Sequence, residues 1–354
     1  MIEKQLKKWF SSSLIGWHIT KNQRTMPWKG IKDPYKIWLS EIILQQTRVE
    51  QGTAYYERFI ASFPTIEELA AADETLIFKH WEGLGYYSRC RNLIKTAKYI
   101  SNDLGGQFPQ TKEGLLSLKG VGSYTAAAIG SFAFGLPLAV VDGNVMRVLS
   151  RLLGIDEPID KLAVKKKFEQ LATEMLGDND PAIFNQAIMD LGATVCKPKK
   201  PLCTECPLQK NCVALKLGKQ EHWPVKSQKI RQRHRYMYYL ILQADNSLLI
   251  RQRKAKDIWQ DLHEFVLLEK DEPVDEKELK ELSNWDVKAA KQKLINISEL
   301  HQHQLTHQKI HCRFIHIQIE KKIALKDYHW IEKNDLMNLA FPRLISRYLD
   351  LHFL

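Results

Sequence analysis

Residues 118 to 144 read Leu-Lys-Gly-Val-Gly-Ser-Tyr-Thr-Ala-Ala-Ala-Ile-Gly-Ser-Phe-Ala-Phe-Gly-Leu-Pro-Leu-Ala-Val-Val-Asp-Gly-Asn, and no other stretch limits the fold as tightly. Gly120 and Gly122 flank Val121 in a turn between two helical segments, where bare backbone approaches a phosphate and helix-start amides point at it. This is a helix-hairpin-helix. The second helix starts at Ser123, Gly135 and Pro137 end it, and an extended Leu-Ala-Val-Val delivers Asp142. A Gly-Val-Gly turn alone is common; turn, helix and Asp-Gly-Asn together form a backbone clamp followed by a carboxylate poised for catalysis.

Composition agrees with a polyanionic partner. The formal net charge of +11 favours nucleic acid and salt-sensitive binding, although it also suits a generally basic soluble protein. With 26% charged and 44% hydrophobic residues, the 354-residue chain is ordinary globular material with room for two or three domains. The N-terminus offers no secretory pattern, and the longest apolar segment, 126 to 141, is broken by Gly130, Gly135 and Pro137. A cytoplasmic, nucleoid-associated bacterial protein without a membrane segment is expected.

Helical periodicity dominates residues 1 to 212. From 213 to 234 the chain reads as a basic linker able to lie along DNA: Lys216, Lys219, Lys226, Lys229, Arg231 and Arg233, with Arg235 beyond, face one acid, Glu221. A plain solvated connector is the alternative. Residues 235 to 354 change to strand chemistry at 236–242, 248–251, 263–268 and 312–319, with a final amphipathic helix over 342–351, so this part is mixed α and β.

Cys196, Cys203, Cys206 and Cys212 crowd the end of the helical part. Without an export signal a thiolate metal site explains them better than disulfides. Zinc is one candidate; one compact four-thiolate loop suits an iron-sulfur cubane more than two short Cys pairs around a long spacer would. Cys90 and Cys312 stand alone and read as buried thiols.

The hairpin at 118–122, Val-Asp-Gly-Asn at 141–144 and the cysteine spacing resemble the helix-hairpin-helix DNA glycosylases that carry a 4Fe-4S cluster. Trp38-Leu-Ser-Glu41-Ile-Ile-Leu-Gln-Gln-Thr47 and Gly83-Leu-Gly-Tyr-Tyr-Ser-Arg89 resemble the MutY family of adenine DNA glycosylases. The resemblance implies a multidomain fold: an all-α catalytic domain, with a six-helix subdomain at about 27–133 and an iron-sulfur subdomain from 1–26 plus 134–212, then an α+β Nudix-like lesion-recognition domain. It also implies base-excision repair of adenine opposite 8-oxoguanine or guanine in duplex DNA, by a monomer.

Residue by residue, the resemblance makes Glu41 the proton donor to N7 of adenine and Asp142 the anion beside the sugar cation, with Asn144 holding Asp142. Glu41 sits in an apolar helical run that raises its pKa, as a general acid near neutral pH requires. Covalent and ion-pair roles for Asp142 both remain open. Tyr124 stands where related bifunctional lyases carry a Schiff-base lysine, so hydrolysis by water is expected; a surface aromatic is its bland reading. Gln46 and Tyr86 become the wedge that fills the stack when the base flips. Arg24, Trp28 and Leu44 would line the adenine pocket, and Gly120, Val121 and Gly122 would hold the backbone.

In the C-terminal part the Nudix box of magnesium-binding acids is not found, so recognition rather than hydrolysis is expected. The family's Phe-Ser-His lesion-reading loop corresponds to Leu305-Thr306-His307, where a hydroxyl is kept and the aromatic ring lost. His301, His303, His307, His311 and His316 nearby suggest solvated or DNA-facing positions rather than a metal site. An iron-sulfur redox protein leaves the two acids unexplained, and so does an architectural DNA binder. The nearer rival is a glycosylase of the same fold acting on thymine or uracil opposite guanine, which has less need of Glu41.

Overall fold

The computed structural model describes residues 3–227, 232–283 and 291–353; Lys229 and Arg231 of the expected linker lie outside the described residues. Up to residue 227 all regular structure is helical, and the first strand begins at Arg233. The chain divides into two compact units, Met1–Ala71 with Arg91–Gln228, and Ala72–Cys90 with Lys229–Leu354. The span of about 27–133 expected as a six-helix subdomain includes residues of both units. Its stretch 72–90 groups with the C-terminal part, because Lys79, Glu82 and Tyr86 bond to Leu339, Phe341 and Thr306.

In the first unit, local signals start and stop each helix that bears on the site. Asp33 caps Pro34–Leu44 through the Tyr35 amide at 2.9 Å, with Pro34 at the first turn where its missing N–H costs nothing. Gly135, at φ 65°, terminates Ser123–Phe134 in the left-handed conformation that favours glycine. Asp142 caps Gly143–Leu153, and Asp180 caps Pro181–Thr194. The run 138–141, expected to be extended, carries no helix or strand and is tied down by Asn185, whose side chain accepts Val140 N–H at 3.0 Å and donates to Leu138 C=O at 2.8 Å.

The core of this unit gathers Phe10, Leu14, Val148, Leu149, Phe168, Phe184 and Leu191, so the N-terminal helix Lys4–Thr20 closes over Gly143–Leu153 and Pro181–Thr194. Residues 213–227 are not a free connector. Val213–Lys216 is a short helix, the buried Trp223 accepts Arg151 Nε at its carbonyl and bonds Asp156, and Val225 C=O accepts Ile159 N–H. Asp156 accepts the Trp223 indole N–H and Asp160 the Ser227 amide, so two acids of the same unit fasten this stretch.

The second unit is built on one mixed sheet of β1 (Arg233–Ala244), β2 (Ser247–Gln252), β3 (His263–Glu264), β4 (Val266–Lys270), β5 (Gln292–Ile297), β6 (His301–Gln304), β7 (Gln308–Ile319) and β8 (His329–Glu332). β1 lies parallel to β7 and antiparallel to β4 and β2. Alternating residues Leu240, Leu242, Ile315 and Ile317 fill one face, as their period of two requires. The terminal helix spans Arg343–His352. Among the described residues, no helix is long and apolar enough to cross a membrane.

One close approach locks the helices that frame the site. A Cβ on Gly192 would stand 2.6 Å from Asn144 Cβ and 3.1 Å from its backbone, so only glycine lets Pro181–Thr194 seat against the start of Gly143–Leu153. Gly192→Ala is expected to lower stability by about 1–3 kcal/mol, the usual cost of overpacking, read as a drop in Tm. It should also slow turnover by moving Asn144 while duplex affinity holds.

Candidate active site

A cavity of about 420 Å³ opens in the first unit, lined by Arg24, Trp28, Glu41, Leu44, Tyr124, Asp142 and Asn144 among others. Seven residues singled out from sequence thus meet in one place. They come from five segments: the 22–30 loop, Pro34–Leu44, the hairpin helix Ser123–Phe134, the coil before Gly143, and Gly143–Leu153.

Glu41 is 6% exposed, on a helix whose neighbours Trp38, Ile42 and Ile43 are buried. Desolvation pushes its pKa up to about 7, the Tyr124 hydroxyl draws it partly back, and the Asp142 charge adds to the rise. Its Oε2 is buried with no hydrogen-bond partner among the described residues, an arrangement that suits a carboxyl carrying a transferable proton. Tyr124 itself is pushed well above the ordinary phenol range, first by burial and then by the two acids.

Asp142 is the helix cap and a pocket wall at once. Oδ1 accepts the Val145 amide at 2.7 Å and Oδ2 accepts Asn144 Nδ2 at 2.6 Å. Burial raises its pKa, while these donors, Val145 foremost, oppose the rise and favour the anion. Asn144 is fixed in turn by Arg147, whose Nη2 donates to Asn144 Oδ1 at 2.7 Å and to Gly192 C=O at 2.6 Å. Arg147 Nε donates to Cys196 C=O at 2.8 Å.

The four cysteines line a second, small cavity of about 30 Å³ with Arg151 and Gln209. None is in a disulfide. Arg151 holds the loop by donating to the Lys197 carbonyl at 2.7 Å, the Pro198 carbonyl at 2.9 Å and the Cys196 sulfur at 3.3 Å. Among the described residues, no three Cys, His, Asp or Glu side chains are grouped closely enough to hold a metal ion. Four thiols spaced around a void fit a polynuclear group better than a single ion, with one thiolate for each metal of a cubane.

The remaining positions fall outside the main cavity. Gly120, at φ 79°, makes the hairpin turn, and a Cβ there would meet Asn92 at 2.9 Å, so both conformation and space demand glycine. Val121 is buried beneath the turn and Gly122 is exposed at the helix start. Gln46 is exposed and adopts φ 58°. In the second unit Tyr86 is 41% exposed with φ 44°. Both are non-glycine residues in the left-handed region, a local strain that accumulates at functional sites. Thr306 and His307 form the exposed turn between β6 and β7, and the Thr306 hydroxyl bonds that of Tyr86.

Sequence reasoning missed Asp190. Fully buried, it accepts Arg24 at 2.9 Å, Lys29 at 3.1 Å, Asn22 at 2.7 Å and Gln186 at 3.0 Å, and so fastens the 22–30 loop as a wall of the pocket. The signal was present: an acid between Met189 and Leu191 in an apolar helical run, as for Glu41. Lys29, Gln186 and Met189 also line the cavity.

The model of HhH-GPD superfamily base excision DNA repair proteins matches residues 39–174, and a NUDIX domain model matches 237–351. The chain is 30% identical over 350 residues to the adenine DNA glycosylase of Buchnera aphidicola subsp. Acyrthosiphon pisum, covering 96% of this chain and 97% of that protein. It is 41% identical over 221 residues to the human adenine DNA glycosylase, covering 60% of this chain and 40% of that protein. A thermostable thymine-DNA glycosylase superposes with a TM-score of 0.54 at 30% identity, over 60% of this chain and 98% of that one. Endonuclease III in a trapped covalent DNA intermediate shares the fold, with a TM-score of 0.53 at 21% identity over 62% and 99%. With a helix-hairpin-helix, a Nudix-like sheet and a relative matched along 97% of its length, the chain belongs to the adenine DNA glycosylase family of base-excision repair enzymes.

Proposed function

We propose that this glycosylase excises adenine mispaired with 8-oxoguanine or guanine in double-stranded DNA. In this reading it is monofunctional and works as a monomer on the nucleoid of the bacterial cytoplasm. Residues 1–212 carry the chemistry and 235–354 read the opposite base. The observation that carries the reading is one pocket in which a buried glutamate with a pKa of about 7 faces a capped aspartate across Tyr124.

The flipped adenine enters between Arg24, Trp28 and Leu44. Protonated Glu41 delivers its proton to N7, so that the C1′–N9 bond breaks with its electron pair leaving on a neutral purine. Asp142, kept anionic by Val145 and Asn144, stabilises the sugar cation at C1′. Water adds at C1′ and gives its proton to the Glu41 carboxylate left by the first step, which restores the protonated Glu41 and the anionic Asp142. Tyr124 offers no amine for a Schiff base, so the abasic strand stays intact. The amides around Gly120, Val121 and Gly122 hold the backbone, Gln46 and Tyr86 wedge the stack, and Thr306 with His307 reads the lesion. Cys196, Cys203, Cys206 and Cys212 would hold a 4Fe-4S cluster, which supplies a structural cross-link when bound.

The thymine-DNA glycosylase neighbour favours a pyrimidine-excising reading of the same fold, but a pyrimidine has no N7 to justify the raised Glu41. The deciding experiment follows free-base release, with enzyme in excess, from duplexes holding adenine opposite 8-oxoguanine, adenine opposite guanine, or thymine or uracil opposite guanine. Adenine release with strand breaks only after alkali is expected. Pyrimidine release or prompt cleavage overturns the reading.

Asp142→Asn should cut single-turnover adenine release by at least about a hundredfold with duplex affinity retained; near-normal release removes Asp142 from the chemistry.

The pH profile should be bell-shaped. Glu41 must be protonated, so rate falls as pH rises through about 7, and Asp142 must be ionised, so rate falls on the acid side at a pH above the usual carboxylate range. The folded pKa of Glu41 lies above its unfolded value, so its contribution to stability is present below about 4.5 and is lost as pH rises toward 7. Glu41→Gln should therefore abolish the alkaline limb and raise Tm at pH 8 more than at pH 4, checked by kinetics and calorimetry.

Purified protein should contain about four iron and four sulfide per chain. Cys206→Ser should lose both together with thermal stability, and stoichiometric zinc instead would refute the cluster.

A further inference from the structure

The Tyr86 loop is held from two directions. Within its own segment, Trp81 Nε1 donates to Gly85 C=O at 3.1 Å, the Tyr87 hydroxyl accepts Gly83 N–H at 3.1 Å, and Arg89 Nη2 donates to the carbonyls of Leu84 at 3.2 Å and Gly85 at 3.3 Å. The Arg89 guanidinium also lies over the Trp81 and Tyr86 rings. Gly83 at φ 90°, Gly85 at φ 69° and Tyr86 at φ 44° make this a tight, strained turn.

The second set of bonds comes from more than two hundred residues along the chain. Glu82 Oε1 accepts the Phe341 amide at 3.1 Å and Oε2 accepts the Lys79 ammonium at 2.6 Å, while Lys79 Nζ donates to Leu339 C=O at 3.0 Å. The Glu82 side chain is only 13% exposed, so salt and water screen this clamp little. Phe341 is itself buried, stacked on Phe265 beside His263. Helix Glu74–Trp81 packs on the turn Lys333–Asn338. By contrast the Tyr86–Thr306 hydroxyl pair is exposed, where water competes for both groups.

We propose that Glu82 is a positioning residue for lesion specificity. Together with Lys79 it clamps the wedge loop to the 339–341 backbone, so that Tyr86 and the Thr306 turn meet DNA as one rigid piece. The inference rests on the wedge and lesion-reading roles proposed above. When duplex enters, the Tyr86 and Thr306 hydroxyls exchange their mutual bond for groups on the DNA; the clamp stays closed and keeps the two at a fixed spacing. Reading 8-oxoguanine then requires Tyr86 to be inserted, because neither can advance without the other. Excision opposite plain guanine gains nothing from the reader and needs only that Tyr86 insert, which the local bonds of Trp81, Tyr87 and Arg89 secure without the clamp.

The test uses the full chain with Glu82→Ala and Glu82→Gln. Hydrogen exchange should rise together in the 79–90 and 339–341 segments for Glu82→Ala. Its kcat/KM for adenine opposite 8-oxoguanine should fall about tenfold, the scale of losing a charge-assisted hydrogen bond, while that for adenine opposite guanine changes less than about twofold. Glu82→Gln, which keeps an acceptor for Phe341, should recover most of the preference. Adding Thr306→Val to Glu82→Ala should cost little beyond the single change, as expected for coupled positions. Unchanged exchange, equal losses on both duplexes, or additive effects of the two substitutions would overturn the clamp. A wild-type enzyme without any preference for 8-oxoguanine would overturn the lesion-reading role on which it rests, and the exchange data would then still show whether the clamp itself exists.

Discussion

The bond between the Asp142 carboxylate and the Val145 amide starts a helix and fixes one wall of the pocket at the same time. A carboxylate at a helix N-terminus is stabilised by unpaired amides and by the helix dipole, and that stabilisation lets an acid stay anionic in a pocket that burial would otherwise neutralise. The same helix then carries Asn144 and Arg147 to brace the acid, and Arg151 one turn further on to hold the cysteine loop. If the cap moved, pocket, brace and loop would all lose their reference.

Arg147 and Arg151 show how much of the first unit is organised around satisfying carbonyls. Both are nearly buried, and they serve Gly143, Gly192, Cys196, Lys197, Pro198 and Trp223 between them. The carbonyls of Cys196, Lys197 and Pro198 open the cysteine loop, and the two guanidinium groups supply the donors that satisfy them. Asp190 does the opposite job on the other wall, where one buried carboxylate collects four side-chain donors and gives shape to a loop without secondary structure.

Much of this was legible in the sequence, for reasons that differ by residue. Gly120, Asp142 and the four cysteines announce themselves because local geometry or chemistry admits few residue types there. Glu41 was readable because an acid among Trp38, Ile42 and Ile43 has to be buried. Asp190 carried the same signal but drew no attention, since its partners Asn22, Arg24 and Lys29 lie over 160 residues away and only tertiary structure joins them. The fastening of residues 213–227 is hidden for a related reason: Trp223 and Ser227 look free in a basic, proline-bearing stretch, and Asp156 and Asp160, which bind them, lie 67 residues away. The grouping of 72–90 with the C-terminal unit left no local trace at all, because Lys79 and Glu82 resemble any exposed helix-end pair.

That grouping has a bearing on how the protein is made. Glu82 and Phe341 are separated by 259 residues, so on the ribosome the Tyr86 loop emerges long before the backbone that clamps it. Trp81, Tyr87 and Arg89 can shape the turn early, since their bonds are local, but its outer fastening waits until residues 339–341 are synthesised. A chain synthesised only as far as residue 338 would therefore hold every residue that lines the main cavity while its Tyr86 loop is still without this fastening.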